Sequence, residues 1–261
     1  MKNIILSIFL LLVVSCAVNP YYNFYKDQTN GADLSTLPNV ILTNEEPKIF
    51  EGANIDSDSQ KMMENGFVSI GYSSFNAGAV SSDKAIIHAK NIKAEVVIVY
   101  SEYTNTVSGS IPLTLPNTET STTKTSGNLW GVGSYNETST TTTNKSKTYD
   151  IPYSVNRYNY FASFWVKIKE LTFGINFRSL ENDERRLIGS NKGVKITVVI
   201  NNSPAFMSDI FAGDILKQIG AIEIINTESV SQALQNYKGK TVNVTIWRDG
   251  EVLSKSVNLN N

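Results

Sequence analysis

Residues 173–177, Phe173-Gly174-Ile175-Asn176-Phe177, open the stretch whose reading decides the fold of the C-terminal third. An apolar-Gly-apolar step leads into an alternating segment there. Gly193-Val194-Lys195-Ile196-Thr197-Val198-Val199 follows, with apolar residues at every second place, the period of a strand half buried in a sheet. Asn202-Ser203-Pro204-Ala205 reads as a turn into a short helix. Ser203 can accept a bond from a free amide of the first turn, and Pro204 would stand at the first helical position, where a missing N–H costs nothing. Phe211-Ala212-Gly213-Asp214-Ile215-Leu216 reads as a turn entering another strand. A helix is then expected from about Glu228 to Tyr237, followed by a strand through Val242, Val244, Ile246 and Trp247. Asp249-Gly250 is a strong hairpin turn because glycine tolerates positive φ, and it leads to a closing strand with Val252 and Val257.

In this order, these features resemble a PDZ domain of the form found in bacterial envelope proteins, over residues 169–261. The resemblance implies a partly open β-barrel with two helices, and a groove in which an extended peptide adds as a strand to an open sheet edge. It implies that the backbone amides of Phe173, Gly174 and Ile175 receive a terminal carboxylate, Gly174 permitting close backbone approach. Ile175, Asn176 and Phe177 would form the edge strand. Val230 and Leu234 share a helical face with Tyr237 and would line the side-chain pocket, Tyr237 being the more ordinary core residue. A Gly174→Trp change is expected to abolish binding and leave the fold intact. Two features depart from the family. Glu170 stands where a basic residue is common, with Lys167 and Lys169 further back, and residues 179–192 form a longer charged connection that could cover or extend the groove, read in preference as a solvated loop.

Upstream, residues 66–168 read as an α+β domain, an α/β sandwich-like layer carrying a long Thr-rich β-hairpin. Phe67 to Tyr72 is β-rich and bounded by glycine. Ser81-Ser82-Asp83 offers caps for a helix to about Lys93, whose Ala85, Ile86, Ala89 and Ile92 would face a sheet, with His88 turned to solvent. Glu95 to Glu102 follows as an apolar strand, and this helix-then-strand pattern resembles small envelope lipoprotein domains. Residues 118–148 are about half Thr and Ser around Gly127-Asn128-Leu129-Trp130-Gly131-Val132-Gly133. Two Thr-rich arms about a Gly-rich centre fit an exposed hairpin, with a low-complexity loop as the alternative. Tyr149 to Lys169 returns to alternating aromatic and polar residues and should close the sheet. Residues 16–65 read as a polar N-terminal segment in which 54–61 form part of a surface linker. Tyr21, Tyr22, Phe24 and Tyr25 could lie at a membrane interface or pack on the folded part.

The first fifteen residues read as a signal peptide. Lys2 is followed by an almost unbroken apolar run from Ile4 to Val14, too short for a helix that crosses a bilayer, which needs ~20 residues. Val13-Val14-Ser15-Cys16 resembles the lipobox of bacterial lipoproteins, and Cys16 is the single cysteine of the chain, so no intramolecular disulfide competes for it. The resemblance implies cleavage before Cys16 and acylation there, palmitate being a typical chain. More than one acyl chain gives stable anchoring. Ala17, where an aspartate would favour inner-membrane retention, favours the outer membrane in a Gram-negative host, with the face left open.

Without Lys2 the 23 basic side chains become 22 against 24 acidic, a net charge of −2, which excludes a strongly basic nucleic-acid binder. PDZ domains often accompany envelope serine proteases, but a Ser-His-Asp triad needs a histidine base, and the single histidine, His88, has no partnered nucleophile. No Gly-x-Ser-x-Gly turn lies in residues 17–170, and no His/Cys/carboxylate spacing suits zinc. No enzyme, cofactor or metal is therefore expected. The expected function is a non-catalytic adaptor in the cell envelope that binds peptide or protein C-termini or extended segments. The alternatives are a structural, self-associating component that uses the Thr-rich hairpin, or a regulatory partner of a separate envelope protease.

Overall fold

The computed structural model describes residues 18–37, 39–129 and 133–261. The signal peptide and Cys16 lie outside the described residues, as do Trp130, Gly131 and Val132 of the Gly-rich centre. The chain forms two compact units: one takes in the residues up to Asn76, Val80–Glu102 and Asn159–Asn261, the other Ala77–Ala79 and Tyr103–Tyr158.

The upstream half contains α1 (Pro20–Asn23), β1 (Tyr25–Asp27), β2 (Val40–Ile41), β3 (Lys48–Glu51), α2 (Ile55–Glu64), β4 (Phe67–Ala77), α3 (Asp83–Asn91), β5 (Val96–Leu129) and β6 (Gly133–Ile168). Their sheet runs β1-β4-β6-β5-β3, with β2 also on β6 and β3 parallel to β5. Residues 54–61, expected as a linker, are mostly helix. Asn54 caps α2 through Ser57 N at 2.9 Å, and Asp56 and Asp58 stand in the first turn, where the helix dipole favours negative charge. Apolar residues are sparse in α2, but Met62 and Met63 suffice to hold it on a cluster of Val96, Ile98 and Trp165.

Helix α3 corrects the placement of His88, which is 1% exposed rather than turned to solvent. It lies three residues from Ala85 and one before Ala89, so it belongs to the same buried stripe. Its ring sits edge-on to Tyr22, Tyr25 and Phe164, with Tyr25 nearest at 4.7 Å. The helix ends at Asn91, and the φ of 59° at Lys93 just beyond its C-cap lets the Ala94 amide reach back to the Ala89 carbonyl at 2.9 Å. The choice left open for the early aromatics is made in part. Tyr21 is fully buried, edge-on to Phe75 at 5.0 Å, and the Tyr25 hydroxyl donates to the Ile70 carbonyl at 2.9 Å. Tyr22 and Phe24 remain largely exposed.

The second unit is the hairpin made by the later part of β5 and the earlier part of β6. Side-chain bonds Thr106–Asn156, Ser108–Ser154 and Thr114–Thr148 join partners whose numbers fall on one strand as they rise on the other, the mark of antiparallel pairing. The hairpin starts well before the Thr-rich stretch that announces it in the sequence.

The C-terminal third contains β7 (Ile175–Ser179), α4 (Asn182–Leu187), β8 (Val194–Val199), α5 (Pro204–Met207), β9 (Ile215–Ile219), β10 (Ile222–Glu223), α6 (Thr227–Tyr237), β11 (Thr241–Arg248) and β12 (Glu251–Asn258). The sheet is open, in the order β12-β11-β9-β8-β7, with β10 on β9. Its core gathers Phe173, Ile196, Leu216, Val230, Val244 and Val257 among others. Asp249 and Gly250, both at positive φ, make the tight turn between β11 and β12. The charged connection contains α4 and is not a plain solvated loop. Glu181 and Glu184 form a reciprocal cap at its start, and both guanidinium nitrogens of Arg178 donate to Glu184 at 2.8 Å. The C-terminal third meets the rest of the first unit at the end of α2, where the Asn201 amide donates to the Glu64 carbonyl at 2.7 Å and Asn201 Nδ2 to Asn65 Oδ1 at 3.3 Å.

Candidate functional site

Strand β7 stands at the end of its sheet. It pairs with β8 on one side (Ile175 with Val199), and among the described residues its other edge has no strand partner. Such an edge is a template for another chain. Helix α6 runs beside it. Asn226 accepts from Ser229 N at 3.0 Å while Ser229 Oγ accepts from Asn226 N at 3.1 Å, so the helix begins on a reciprocal cap. Ser229, Val230 and Ala233 form its buried face.

Between β7 and α6 lies a cavity of about 350 Å³, lined on one side by Leu171, Thr172, Phe173, Gly174, Ile175 and Phe177. Leu234, Gln235 and Lys238 of α6 and its C-cap line the other. Its entrance loop is tied from behind. The Phe173 carbonyl accepts from Ala205 N at 3.0 Å, and the Gly174 carbonyl accepts from Ile200 N at 2.9 Å and from Ser203 Oγ at 3.3 Å. Ser203 also caps α5 by accepting from Phe206 N at 3.3 Å, with Pro204 at the first helical position. The carbonyls of the loop are thus engaged, while the amides of Phe173 and Gly174 donate to no acceptor among the described residues. Both residues stand at the loop that lines the cavity.

Of the residues singled out from the sequence, Phe173, Gly174, Ile175, Phe177 and Leu234 come together around this cavity. Val230 does not line it: the residue is fully buried in the core behind. Asn176 contributes backbone to the edge, but its side chain points to the other face, where Nδ2 lies 3.7 Å from Met63 Sδ. Alternation along a strand requires this once Ile175 and Phe177 face the groove. Tyr237 is structural, its hydroxyl accepting from Ala221 N at 2.9 Å. Sequence reasoning missed Leu171, Thr172, Gln235 and Lys238. Lys238 was within reach, since it lies one helical turn beyond Leu234. It places a cation at the groove, which Glu170, where the family often has a basic residue, does not line.

Residues 172–259 match the PDZ-domain family model, and this part of the chain is a PDZ domain. Three solved structures are similar to the chain. The PDZ domain of HtrA3, bound to a phage-derived ligand, is 19% identical with a TM-score of 0.29, over 34% of this chain and 83% of that one. The HtrA-type protease AlgW with a decapeptide is 13% identical with a TM-score of 0.29, over 38% of this chain and 36% of that one. A PDZ domain protein from Parabacteroides distasonis is 8% identical with a TM-score of 0.21, over 85% of this chain and 70% of that one. No curated protein matches the sequence.

Proposed function

We propose that the protein is a lipid-anchored envelope protein that captures extended peptides or protein C-termini in the groove between β7 and α6, without catalysing a reaction. The observation that carries this reading is the coincidence of three features at one place. They are an unpaired strand edge, an apolar cavity lined by Phe173, Ile175, Phe177 and Leu234, and two loop amides without acceptors. An added peptide strand would take its backbone bonds from the edge, its last side chain would enter the cavity, and its carboxylate would accept from the Phe173 and Gly174 amides. Lys238 would add charge attraction from the helix side.

The anchor rests on Cys16 and the apolar run before it, which support acylation, while Ala17 after the cysteine supports the outer membrane over the inner. Confinement to a surface raises the effective concentration of the groove for partners on the same membrane.

The direct test is a titration of the full chain against a library of peptides with free C-termini, in parallel with Leu234→Gln. Saturable binding that Leu234→Gln weakens is expected. No binding to any member, or binding indifferent to Leu234, would refute the groove. Anchoring is tested separately by labelling cells with a palmitate analogue: the wild type should take up label and partition with membranes, and Cys16→Ser should do neither.

A further inference from the structure

The hairpin unit carries a second surface. On β5 the side chains of Val107, Ile111, Leu113 and Leu115 are exposed, and on β6 those of Tyr149, Ile151, Tyr153 and Val155. All eight occupy odd positions, so on each strand they share one face. The cross-strand bonds Thr106–Asn156, Ser108–Ser154 and Thr114–Thr148 are all between even positions and set the register. In that register Val107 stands opposite Val155, Ile111 opposite Ile151 and Leu113 opposite Tyr149. Tyr153 lies across Gly109, where a Cβ would meet its ring at 2.9 Å. One face is therefore an apolar ladder about 27 Å long on β5, ended by Lys147 opposite Leu115 with its ammonium 5.1 Å from the Tyr149 ring centre, and the other is largely polar, with Thr and Ser side chains bonded across it. The eight apolar side chains range from 39% to 59% exposed. A soluble fold rarely leaves so continuous a strip to water.

Three prolines decide what can cover it. Pro112, Pro116 and Pro152 are all at even positions. Proline is tolerated inside a paired strand only where its N–H would point away from the partner, so the missing N–H of each falls on an outer edge. Both outer edges are thus blocked for extension into a larger sheet or a closed ring. A lone ribbon with open, proline-interrupted edges is also unsuited to lipid, where every unpaired backbone group is costly. Face-to-face packing needs no edge. We infer that the apolar face of this hairpin packs against the same face of a second copy of the chain, in a two-layer arrangement of four strands. A two-fold mate presents the same rows, with Ile111 and Ile151 at their middle. Eight half-exposed side chains on each copy would bury about 1,300 Å² in total, within the range of about 1,200–2,000 Å² of stable interfaces.

The test is the oligomeric state of the full chain by sedimentation equilibrium at about 50 μM, beside Ile111→Thr/Ile151→Thr, which keeps β-propensity and makes the strip polar. A dimer is expected for the wild type, with a dissociation constant raised about 100-fold in the variant. A monomeric wild type, or a dimer that the double change leaves intact, overturns the inference. A monomer that floats with phosphatidylcholine vesicles overturns it in favour of lipid. If the double variant fails to fold, cysteines placed one at a time in a Cys16→Ser background decide. Ile111→Cys should cross-link two copies on oxidation and Thr114→Cys, on the other face, should not; equal cross-linking at both overturns the inference.

Discussion

Gly174 and Ser203 stand so close that a Cβ on Gly174 would lie 2.1 Å from the Ser203 Cβ, while Ser203 Oγ donates to the Gly174 carbonyl at 3.3 Å. Gly174 also has a φ of +78°, a conformation side chains resist. The glycine is therefore required by the protein's own packing, and the expectation that Gly174→Trp would block the groove without harm to the fold does not survive. Gly174→Ala should cost about 2–4 kcal/mol in denaturant unfolding, from strain and the contact together. Gly174→Ala/Ser203→Gly should recover part of that loss, because glycine is a tolerable N-cap and removes the colliding Cβ.

Lys238 and the free carboxylate of a ligand should interact in a way that a structural lysine would not reproduce. Lys238→Glu is expected to weaken binding of free-acid peptides by about tenfold at low salt, with much less effect on amidated ones. Calorimetric titration of both peptide forms at two salt concentrations checks this.

Arg248 closes on Asp214 with Nε–Oδ1 at 2.6 Å and Nη2–Oδ2 at 2.7 Å, and its guanidinium lies 4.2 Å from the Phe211 ring centre. Asp214 is 2% exposed and also accepts from Phe211 N at 2.8 Å. Arg248→Met leaves this carboxylate buried without its cation and should cost about 3 kcal/mol in urea unfolding. Arg248→Lys should restore little, since an ammonium cannot make the two parallel bonds.

His88 makes stability depend on pH. Burial among aromatic rings holds its pKa down at about 4, from an ordinary 6.5, and neither ring nitrogen has a hydrogen-bond partner. Between these two values the unfolded chain takes up a proton that the folded chain refuses. Stability therefore falls as pH drops from about 6.5 to about 4, by up to about 3 kcal/mol, and this group adds no further loss below that. Asp27, Asp58 and Glu184, whose carboxyls are held below the ordinary range by hydrogen bonds, act only at the acid end of this window and below it. Urea midpoints at pH 6.5 and pH 5 should differ in the wild type and converge in His88→Leu.

The order of elements in the PDZ domain is legible in the chain because each is written in local chemistry. Ser203-Pro204 starts α5, Asp249-Gly250 turns β11 into β12, and alternation marks β8. These signals act within a few residues and survive without knowledge of the rest of the fold. The hairpin is announced by threonine, but its apolar face comes from alternating stretches on both sides of the threonines, and that alternation gains meaning only when the register sets Ile111 beside Ile151. Tertiary structure alone decided the remainder. His88 is polar by type and buried by position, because a helix stripe recruits whatever stands at the right spacing. Residues 54–61 are too polar to declare a helix, yet two methionines hold α2 on a cluster built from distant strands. Val230 and Leu234 share a helical face, and only the depth of the core separates the one that fills it from the one that lines the groove. Partners far apart in the chain set burial and depth, and no local pattern encodes where they will stand.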